Sequence, residues 1–165
     1  MINHTAYMAV GSNMGDRKRN CLNGIDLFVE LTRAELLGQS PFYQTEPMYV
    51  IDQDWFINGV FSIKTQRPPL ELFHLAKKVE ARLGRNLNTK RYGPRVVDLD
   101  ILLVDDLKVQ TTDLEIPHPR MHERRFVLQP LVDIAPNQHH PVLDKSIQEL
   151  LSNLDDANMK VICCQ

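Results

Sequence analysis

The sequence predicts an α+β fold in which helices pack on an antiparallel sheet. Segments with short apolar runs, or with apolar residues at every second position, are typical of strands; two other segments have the three- and four-residue spacing typical of helices. Clusters of glycine, proline and asparagine separate these segments. Their order is strand, helix, strand, strand, helix, strand, which is that of the split βαβ motif. We therefore expect a ferredoxin-like βαββαβ core with a C-terminal extension.

The N-terminal part of the core begins with a short apolar strand over residues 6–10, which runs into a glycine-containing turn. Asp16 is a suitable N-cap for a helix that continues to about residue 31, because the apolar residues after it are spaced three and four apart. A second strand is predicted over residues 36–45. Pro47 then ends regular pairing, because proline has no N–H group to donate.

The second part of the core starts with a strand over residues 55–65, whose mostly apolar odd-numbered positions are expected to face inward. A helix is predicted to begin at Pro68 and Pro69 and to end at Gly84. Its buried stripe is predicted to comprise Leu72, Leu75, Ala76, Val79 and Leu83. The last core strand is predicted over residues 96–104, and it is apolar on both faces except at two aspartates.

The whole chain, residues 1–165, is expected to form one domain, because 165 residues is an ordinary domain length. In the C-terminal extension, a turn of helix is predicted over residues 123–128 and a longer helix over 147–154. A final strand is predicted over residues 159–163.

Composition excludes several classes of protein. Nineteen Lys and Arg against twenty-one Asp and Glu give a net charge of −2, which argues against a protein that coats nucleic acid. The apolar runs are far shorter than the roughly twenty residues of a membrane span, and no secretory signal is evident. Three cysteines, two of them adjacent, do not make a disulfide framework. We expect a reduced, cytoplasmic, monomeric protein that binds neither nucleic acid nor membranes.

Two carboxylates, Asp98 and Asp100, interrupt the last core strand. Residues two apart in a strand share a face, so both carboxylates can converge on one or two divalent cations, and their hard oxygen ligands suit Mg²⁺. The alternative is an ion pair between one aspartate and a neighbouring arginine. Because the flanking residues are apolar, the strand is expected to be central, where two uncompensated carboxylates are costly. This favours a metal site.

Basic residues precede and follow the two aspartates. Arg85, Lys90, Arg91 and Arg95 lie within eleven residues, and Arg120, Arg124 and Arg125 form a second group. Arginine clusters match phosphate oxygens through bidentate hydrogen bonds, so the combination with a carboxylate pair indicates phosphoryl transfer. The alternative is a solvated basic loop.

Other functions with this fold remain possible at this point. The sequence contains neither the P-loop pattern nor the dinucleotide fingerprint, so ATP would need a binding site of a different kind. An RNA-binding module would need aromatic residues in an RNP-type consensus, which is absent. A non-catalytic regulatory domain would need no Mg²⁺, and a two-metal nuclease would share both the carboxylates and the basic loop.

The segment around the carboxylates resembles a known family. The run from Arg91 to Ile101, RYGPRVVDLDI, is similar to the signature of the 6-hydroxymethyl-7,8-dihydropterin pyrophosphokinases of folate biosynthesis. Further segments resemble the same family in the same order, namely 9–13, 43–47, 56–58, 80–85, 117–121 and 124–126. Two departures are Tyr92, where many members have tryptophan, and the loop after Pro47, which lacks the glycine often found there.

The resemblance implies a reaction in which the pterin hydroxymethyl oxygen attacks the β-phosphorus of ATP, giving the pterin diphosphate and AMP. It implies two Mg²⁺ ions held by Asp98 and Asp100, with Arg85 and Arg95 engaging the phosphates. The implied nucleotide contacts further include Lys77, Ile101, His118 and Arg124. The implied pterin contacts are Thr45, Pro47, Phe56, Asn58, Tyr92 and Phe126.

The residue types at the implied pterin site suit a flat heterocycle. Phe56 and Phe126 are able to cover its two faces, while Asn58 is able to hydrogen-bond its edge. For each phenylalanine the alternative is ordinary core packing. Asn58 is the more informative residue, because a polar amide in an apolar strand needs a partner.

Overall fold

The computed structural model describes residues 2–84, 93–155 and 159–165. The strands are β1 (His4–Ser12), β2 (Glu35–Gln39), β3 (Tyr43–Thr45), β4 (Phe56–Thr65), β5 (Asp98–Val104), β6 (Val109–Gln110), β7 (Glu115–Ile116), β8 (His139–His140), β9 (Lys145–Ser146) and β10 (Val161–Cys163). The helices are α1 (Arg17–Thr32), α2 (Pro69–Arg82), α3 (Arg125–Ile134) and α4 (Ile147–Ser152), with a 3₁₀ turn at Met121–Glu123. Among the described residues, no helix is long and apolar enough to cross a membrane.

The main sheet is antiparallel, with the strand order β10-β3-β4-β1-β5, and β2 also pairs with β4. The predicted ferredoxin-like core is confirmed, but the expectation that β5 is a central strand is wrong. It is the last strand in this order, and its apolar residues are buried because the first core packs against it. Strand β1 lies between β4 and β5, and its residue Gly11 pairs with Asn58 on one side and with Asp98 on the other. Directly paired residues of an antiparallel sheet point to the same face. One row across the sheet therefore brings Asn58 and Asp98 to the same face, on either side of a glycine.

Helices cover both faces of the sheet. On one face, α1 and α2 pack over a core that includes Phe28, Phe61 and Val79. On the other face, α3 and α4 pack over a second cluster that includes Val60 and Leu128. The odd positions of β4 face the first core as predicted. The C-terminal extension accounts for the burial of the even-numbered Val60.

The predicted strand over residues 36–45 is two strands, β2 and β3, which both pair with β4. Pro41 stands between them and has no N–H group to donate. Ser40 maintains the connection, because its N–H donates to the carbonyl of Val60 at 2.8 Å and its hydroxyl accepts from the N–H of Val60 at 2.9 Å. The edge of the sheet is thus interrupted without leaving β4 unpaired at this point.

The C-terminal predictions are partly corrected. The turn of helix predicted over residues 123–128 is the start of the longer helix α3, whose apolar side continues to Leu131 against the second cluster. The hairpins β6–β7 and β8–β9 were not predicted, because strands of two residues are too short to show an alternation of apolar and polar residues. The helix predicted over 147–154 is found as α4, which ends at Ser152, and the strand predicted over 159–163 is found as β10, which begins at Val161.

Cys21 is expected to be far less reactive than Cys163 in the folded protein. Cys21 is fully buried on α1, and burial raises the pKa of its thiol from 9.0 to about 12, whereas Cys163 is exposed. Iodoacetamide at pH 8 is expected to modify Cys21 at least about a thousandfold more slowly than an unperturbed thiol, because it reacts with the thiolate. Mass spectrometry of tryptic peptides measures both rates. Equal labelling of the two residues before guanidinium is added would contradict the expectation.

Candidate active site

A cavity of about 410 Å³ opens where β1 ends and β4 and β5 begin. This is within the size range of small-molecule sites. Its floor is the row of residues at Gly11, Asn58 and Asp98, and its walls come from the loop between β3 and β4 and from the segment that leads into α3. Strand pairing therefore positions the floor, while loops provide the walls.

Most of the predicted site residues line this cavity. They are Thr45, Phe56, Asn58, Lys77, Arg95, Asp98, Asp100, His118, Arg124 and Phe126. Ile101 lies instead in a second cavity, on the opposite face of β5. Pro47 is half-buried between two residues of the loop that line the first cavity, and it is not itself part of the lining. Arg85 and Tyr92, together with Lys90 and Arg91, lie outside the described residues.

Asp98 and Asp100 share one face of β5, as predicted, and both point into the cavity. The Nη1 of Arg95 donates to the Oδ1 of Asp98 at 2.7 Å. Burial, followed by the charge of Asp98, raises the pKa of Asp100 to about 7. The ion pair and the metal site that the sequence left as alternatives therefore each describe part of the arrangement. Arg95 forms an ion pair with Asp98, while the negative charge of Asp100 is poorly compensated.

The carboxylate pair fits a divalent cation that shares its ligands with a substrate. Within the described ranges, no group of three or more His, Cys, Asp or Glu side chains is arranged to hold a metal ion. Mg²⁺ is commonly bound by one or two carboxylates, with phosphate oxygens and water completing its coordination. Such a cation would also relieve the repulsion that raises the pKa of Asp100.

Glu80 anchors helix α2 to the strand that carries the two aspartates. Its side chain is fully buried, and its Oε1 accepts from the N–H of Leu99, the residue between Asp98 and Asp100, at 2.9 Å. Lys77 donates to the same carboxylate at 3.2 Å. Burial and the charge of Asp98 raise the pKa of Glu80, while Lys77 opposes this shift. The anchor thus fixes β5 and holds a lysine at the cavity.

His118 and Arg124 form the cationic side of the cavity. The Nδ1 of His118 accepts from the N–H of Arg120 at 3.1 Å, so the proton of the neutral ring lies on Nε2. Burial and the charge of Arg124 lower the pKa of His118 to about 4, which keeps the ring neutral at pH 7. The Nε of Arg124 is buried and has no hydrogen-bond partner in the described part of the chain. An anionic ligand would satisfy this donor.

The polar floor of the cavity depends on a glycine. The Nδ2 of Asn58 donates to the hydroxyl of Thr45 at 2.6 Å. A Cβ atom added to Gly11 would lie only 2.5 Å from the Oδ1 of Asn58. Gly11 therefore allows the Asn58 amide to lie against the backbone of β1. A glycine inside a strand pattern is the sequence signal that would have indicated this close approach.

A second cavity of about 280 Å³ lies between α2, β5 and the segment from residue 111 to 119. Three residues, Asp100, His118 and Pro119, line both cavities. Sequence reasoning missed most of the second lining, including Phe73, Thr111 and Leu114, because these residues belong to no motif and are brought together only by packing. Asp100 thus lies where the two cavities meet, while Asp98 lines only the larger one.

The topology and this site together define the class of the protein: a ferredoxin-like α+β protein with a two-part small-molecule site, in which carboxylates meet cationic side chains suited to a phosphorylated ligand. The family model for 7,8-dihydro-6-hydroxymethylpterin-pyrophosphokinase (HPPK) matches residues 7–136. The chain belongs to this family, and the resemblance seen in the sequence is confirmed.

Individual relatives agree with the family match. The 2-amino-4-hydroxy-6-hydroxymethyldihydropteridine pyrophosphokinase of Bacillus subtilis is 41% identical over 134 residues, covering 81% of this chain and 80% of the relative. The protein of the same name from Methylorubrum extorquens is 34% identical over 155 residues, covering 94% and 96%. The folic acid synthesis protein fol1 of Schizosaccharomyces pombe is 36% identical over 159 residues; the match covers 96% of this chain but only 22% of that protein.

A solved structure shares the fold. The crystal structure of wild-type Plasmodium falciparum HPPK-DHPS with pteroate superimposes with a TM-score of 0.73 at 16% sequence identity. The match covers 92% of this chain and 42% of that chain. The similarity extends over nearly all of the present fold.

Proposed function

We propose that the protein is an ATP-dependent diphosphokinase that transfers pyrophosphate from ATP to the hydroxymethyl group of 6-hydroxymethyl-7,8-dihydropterin, giving the pterin diphosphate and AMP in folate biosynthesis. The observation that carries the proposal is the position of Asp100, which lines both cavities, on the same face of β5 as Asp98, which lines the larger one. Two substrates bound in these cavities would meet at the carboxylates. The names of the bacterial relatives support the choice of reaction.

The larger cavity suits the pterin. Phe56 and Phe126 are half-buried aromatic side chains on its wall, and a flat ring system gains from stacking between such groups. Thr45 and Asn58 are already hydrogen-bonded to each other, so their remaining donor and acceptor capacity is held in place for the edge of the ring. Pro47 and Tyr92 complete the proposed set of pterin contacts.

The smaller cavity suits the nucleoside of ATP. Phe73, Ile101 and Leu114 provide apolar surface, and polar groups of Thr111 and Thr112 lie beside it. The phosphates would extend past His118 into the larger cavity, toward Lys77 and Arg124. The proton on Nε2 of His118 is a donor available to phosphate oxygens, and so is the Nε of Arg124, which has no hydrogen-bond partner among the residues that the structure describes.

Asp98 and Asp100 would hold Mg²⁺, and we propose two ions. Mg²⁺ bound there would neutralise phosphate charge and orient the phosphates. The contribution of the chain is to position and compensate charge: Glu80 holds β5 through the N–H of Leu99, and Arg95 supplies a guanidinium beside Asp98. In phosphoryl transfer such positioning and electrostatic stabilisation provide most of the rate. We propose the same phosphate-binding role for Arg85.

We further propose that residues 1–165 form a single domain that acts as a monomer in the cytoplasm. All three cysteines are free thiols, which supports a reducing compartment.

Product analysis tests the proposed reaction. Purified protein is incubated with ATP, Mg²⁺ and 6-hydroxymethyl-7,8-dihydropterin, and the nucleotides are separated by chromatography. AMP is expected to form only when the pterin is present. Formation of ADP instead would indicate transfer of a single phosphoryl group. Absence of turnover in a folded protein would reject the proposed activity and favour a non-catalytic binding domain.

Gly11→Ala is expected to weaken pterin binding roughly ten- to a hundredfold while changing nucleotide binding little. The new methyl group would lie 2.5 Å from the Oδ1 of Asn58, so the amide must leave its position on the cavity floor. Calorimetric titration of pterin and of an ATP analogue measures both affinities. Gly38→Ala is the matched control, because its Cβ would lie 3.4 Å from the nearest atom, the Ser62 hydroxyl. Unchanged pterin affinity in Gly11→Ala would contradict the assigned role of Asn58.

A further inference from the structure

Tyr49 is an exposed aromatic residue that lines the larger cavity. It lies on the loop between β3 and β4, and 45% of its surface is accessible to solvent. The next two residues of the loop, Val50 and Ile51, are also exposed, but they do not line the cavity. A flat ligand that covers an exposed aromatic ring gains both apolar burial and ring contact. Tyr49 thus combines a position at the cavity with surface that a bound ligand would cover.

Arg120 contacts Tyr49 from the segment that leads into α3. The guanidinium carbon of Arg120 lies 5.4 Å from the centre of the Tyr49 ring, which is within the range of a cation–π contact. A side-chain hydrogen bond with Tyr49, followed by one with Glu123, raises the pKa of Arg120. The Nε of Arg120 donates to the Oε2 of Glu123 at 3.3 Å. The guanidinium is therefore held between a carboxylate of its own segment and the ring on the loop.

The charge of Arg120 is already compensated, which distinguishes this residue from a phosphate-binding arginine. Its guanidinium forms an ion pair with Glu123, whereas the buried Nε of Arg124 has no hydrogen-bond partner in the described part of the chain. The main-chain N–H of Arg120 donates to the Nδ1 of His118, and this hydrogen bond does not involve the arginine side chain. A substitution of Arg120 therefore removes the contact with Tyr49 and leaves the tautomer of His118 fixed.

We propose that Tyr49 is a further aromatic contact of the pterin and that Arg120 is the positioning residue that holds its ring at the cavity. This inference rests on the proposed function, because it assigns the larger cavity to the pterin. Phe56 and Phe126 would cover the two faces of the ring system, and Tyr49 would cover a part of the ligand that they leave exposed. Arg120 then acts on pterin binding through Tyr49.

Variants of both residues test the inference through the Kd and the dissociation rate of the pterin. Calorimetry and stopped-flow fluorescence of the pterin measure them in the presence of Mg²⁺ and an ATP analogue. In Tyr49→Ala both are expected to rise about tenfold, because the ring contact is lost. In Arg120→Ala both are expected to rise about threefold, because the ring remains but is no longer held. The double variant is expected to match Tyr49→Ala, because Arg120 acts through the ring. Additive effects would overturn the proposal.

A conservative variant and the nucleotide affinity separate this role from two others. Tyr49→Phe keeps the ring beside Arg120, so its pterin Kd is expected to stay within about threefold of that of the unchanged protein. The Kd of the ATP analogue is expected to change by less than about twofold in every variant. If Arg120→Ala weakens the ATP analogue more than the pterin, Arg120 is a phosphate contact and the proposal is wrong. A purely structural role would lower the active fraction and leave the pterin dissociation rate unchanged.

Val50→Ala is the matched control, because Val50 is the next residue of the same loop and is 40% exposed without lining the cavity. Its pterin Kd and dissociation rate are expected to match those of the unchanged protein. AMP formation by the unchanged protein is measured in the same series: if none is found, the proposed function fails. If AMP forms and Tyr49→Ala binds and releases the pterin as the unchanged protein does, the inference about Tyr49 and Arg120 alone is rejected.

Discussion

Asp100→Ala is expected to reduce AMP formation by about a thousandfold or more, because it removes one of the two carboxylates proposed to hold Mg²⁺. The variant is expected to remain folded. Burial and the charge of Asp98 raise the pKa of Asp100 to about 7, so the folded protein disfavours its ionised form and gains no stability from this charge. Steady-state AMP production measures the first effect, and the thermal unfolding midpoint measures the second.

Asp106→Ala is the control for this experiment, because Asp106 is an exposed carboxylate in the turn after the same strand. It is expected to retain full activity. Chelation of Mg²⁺ with EDTA is expected to abolish turnover in the unchanged protein, and added Mg²⁺ is expected to restore it. Near-normal turnover by folded Asp100→Ala would mean that the metal assignment is wrong.

Arg95→Ala is expected to slow transfer by about a hundredfold with little change in pterin affinity. The guanidinium of Arg95 lies 2.7 Å from Asp98 and faces the cavity, where it would stabilise charge that develops on the transferred group. Asn13 hydrogen-bonds the main chain of Arg95, and its Nδ2 donates to the Oε1 of Gln53 on the loop between β3 and β4. The substitution changes only the side chain of Arg95, so these hydrogen bonds stay in place. The kcat from AMP formation and the Kd of the pterin from calorimetry report the two effects.

Arg95→Lys provides the control, because lysine keeps the positive charge and loses the planar fork that matches phosphate oxygens. Its kcat is expected to fall between those of Arg95→Ala and the unchanged protein. Weakened pterin binding at an unchanged kcat in Arg95→Ala would place the arginine at the pterin and contradict the phosphate role.

Local pattern was sufficient to predict the core and the position of its acidic pair. The order of strands and helices follows from residue spacing, because a period of two or of about 3.6 is a property of neighbouring residues. Since side chains two apart in a strand share a face, Asp98 and Asp100 were correctly expected to lie together. Gly84 was correctly expected at the end of α2, where it has a φ of 97°.

The roles of residues that depend on distant partners were harder to predict from the sequence. Asn58 was predicted to need a partner, but nothing local identifies the partner as Thr45 or shows that Gly11 makes room for the amide. The roles of Arg85 and Tyr92 stay predictions, because these residues lie outside the described ranges. Pro41 was a local sign that the predicted strand would be split, but nothing local showed that both parts pair with β4.

The sequence by itself determined the ferredoxin-like class and the family, and it identified ten of the residues that line the larger cavity. Only the tertiary structure showed that α3 and α4 cover the second face of the sheet, that two cavities meet at Asp100, and that Asn13 hydrogen-bonds both Gln53 and Arg95. The reason is physical: residue periodicity specifies which face a side chain occupies. Contacts between residues 40 or 82 positions apart, such as those from Asn13 to Gln53 and Arg95, depend on how the whole chain packs.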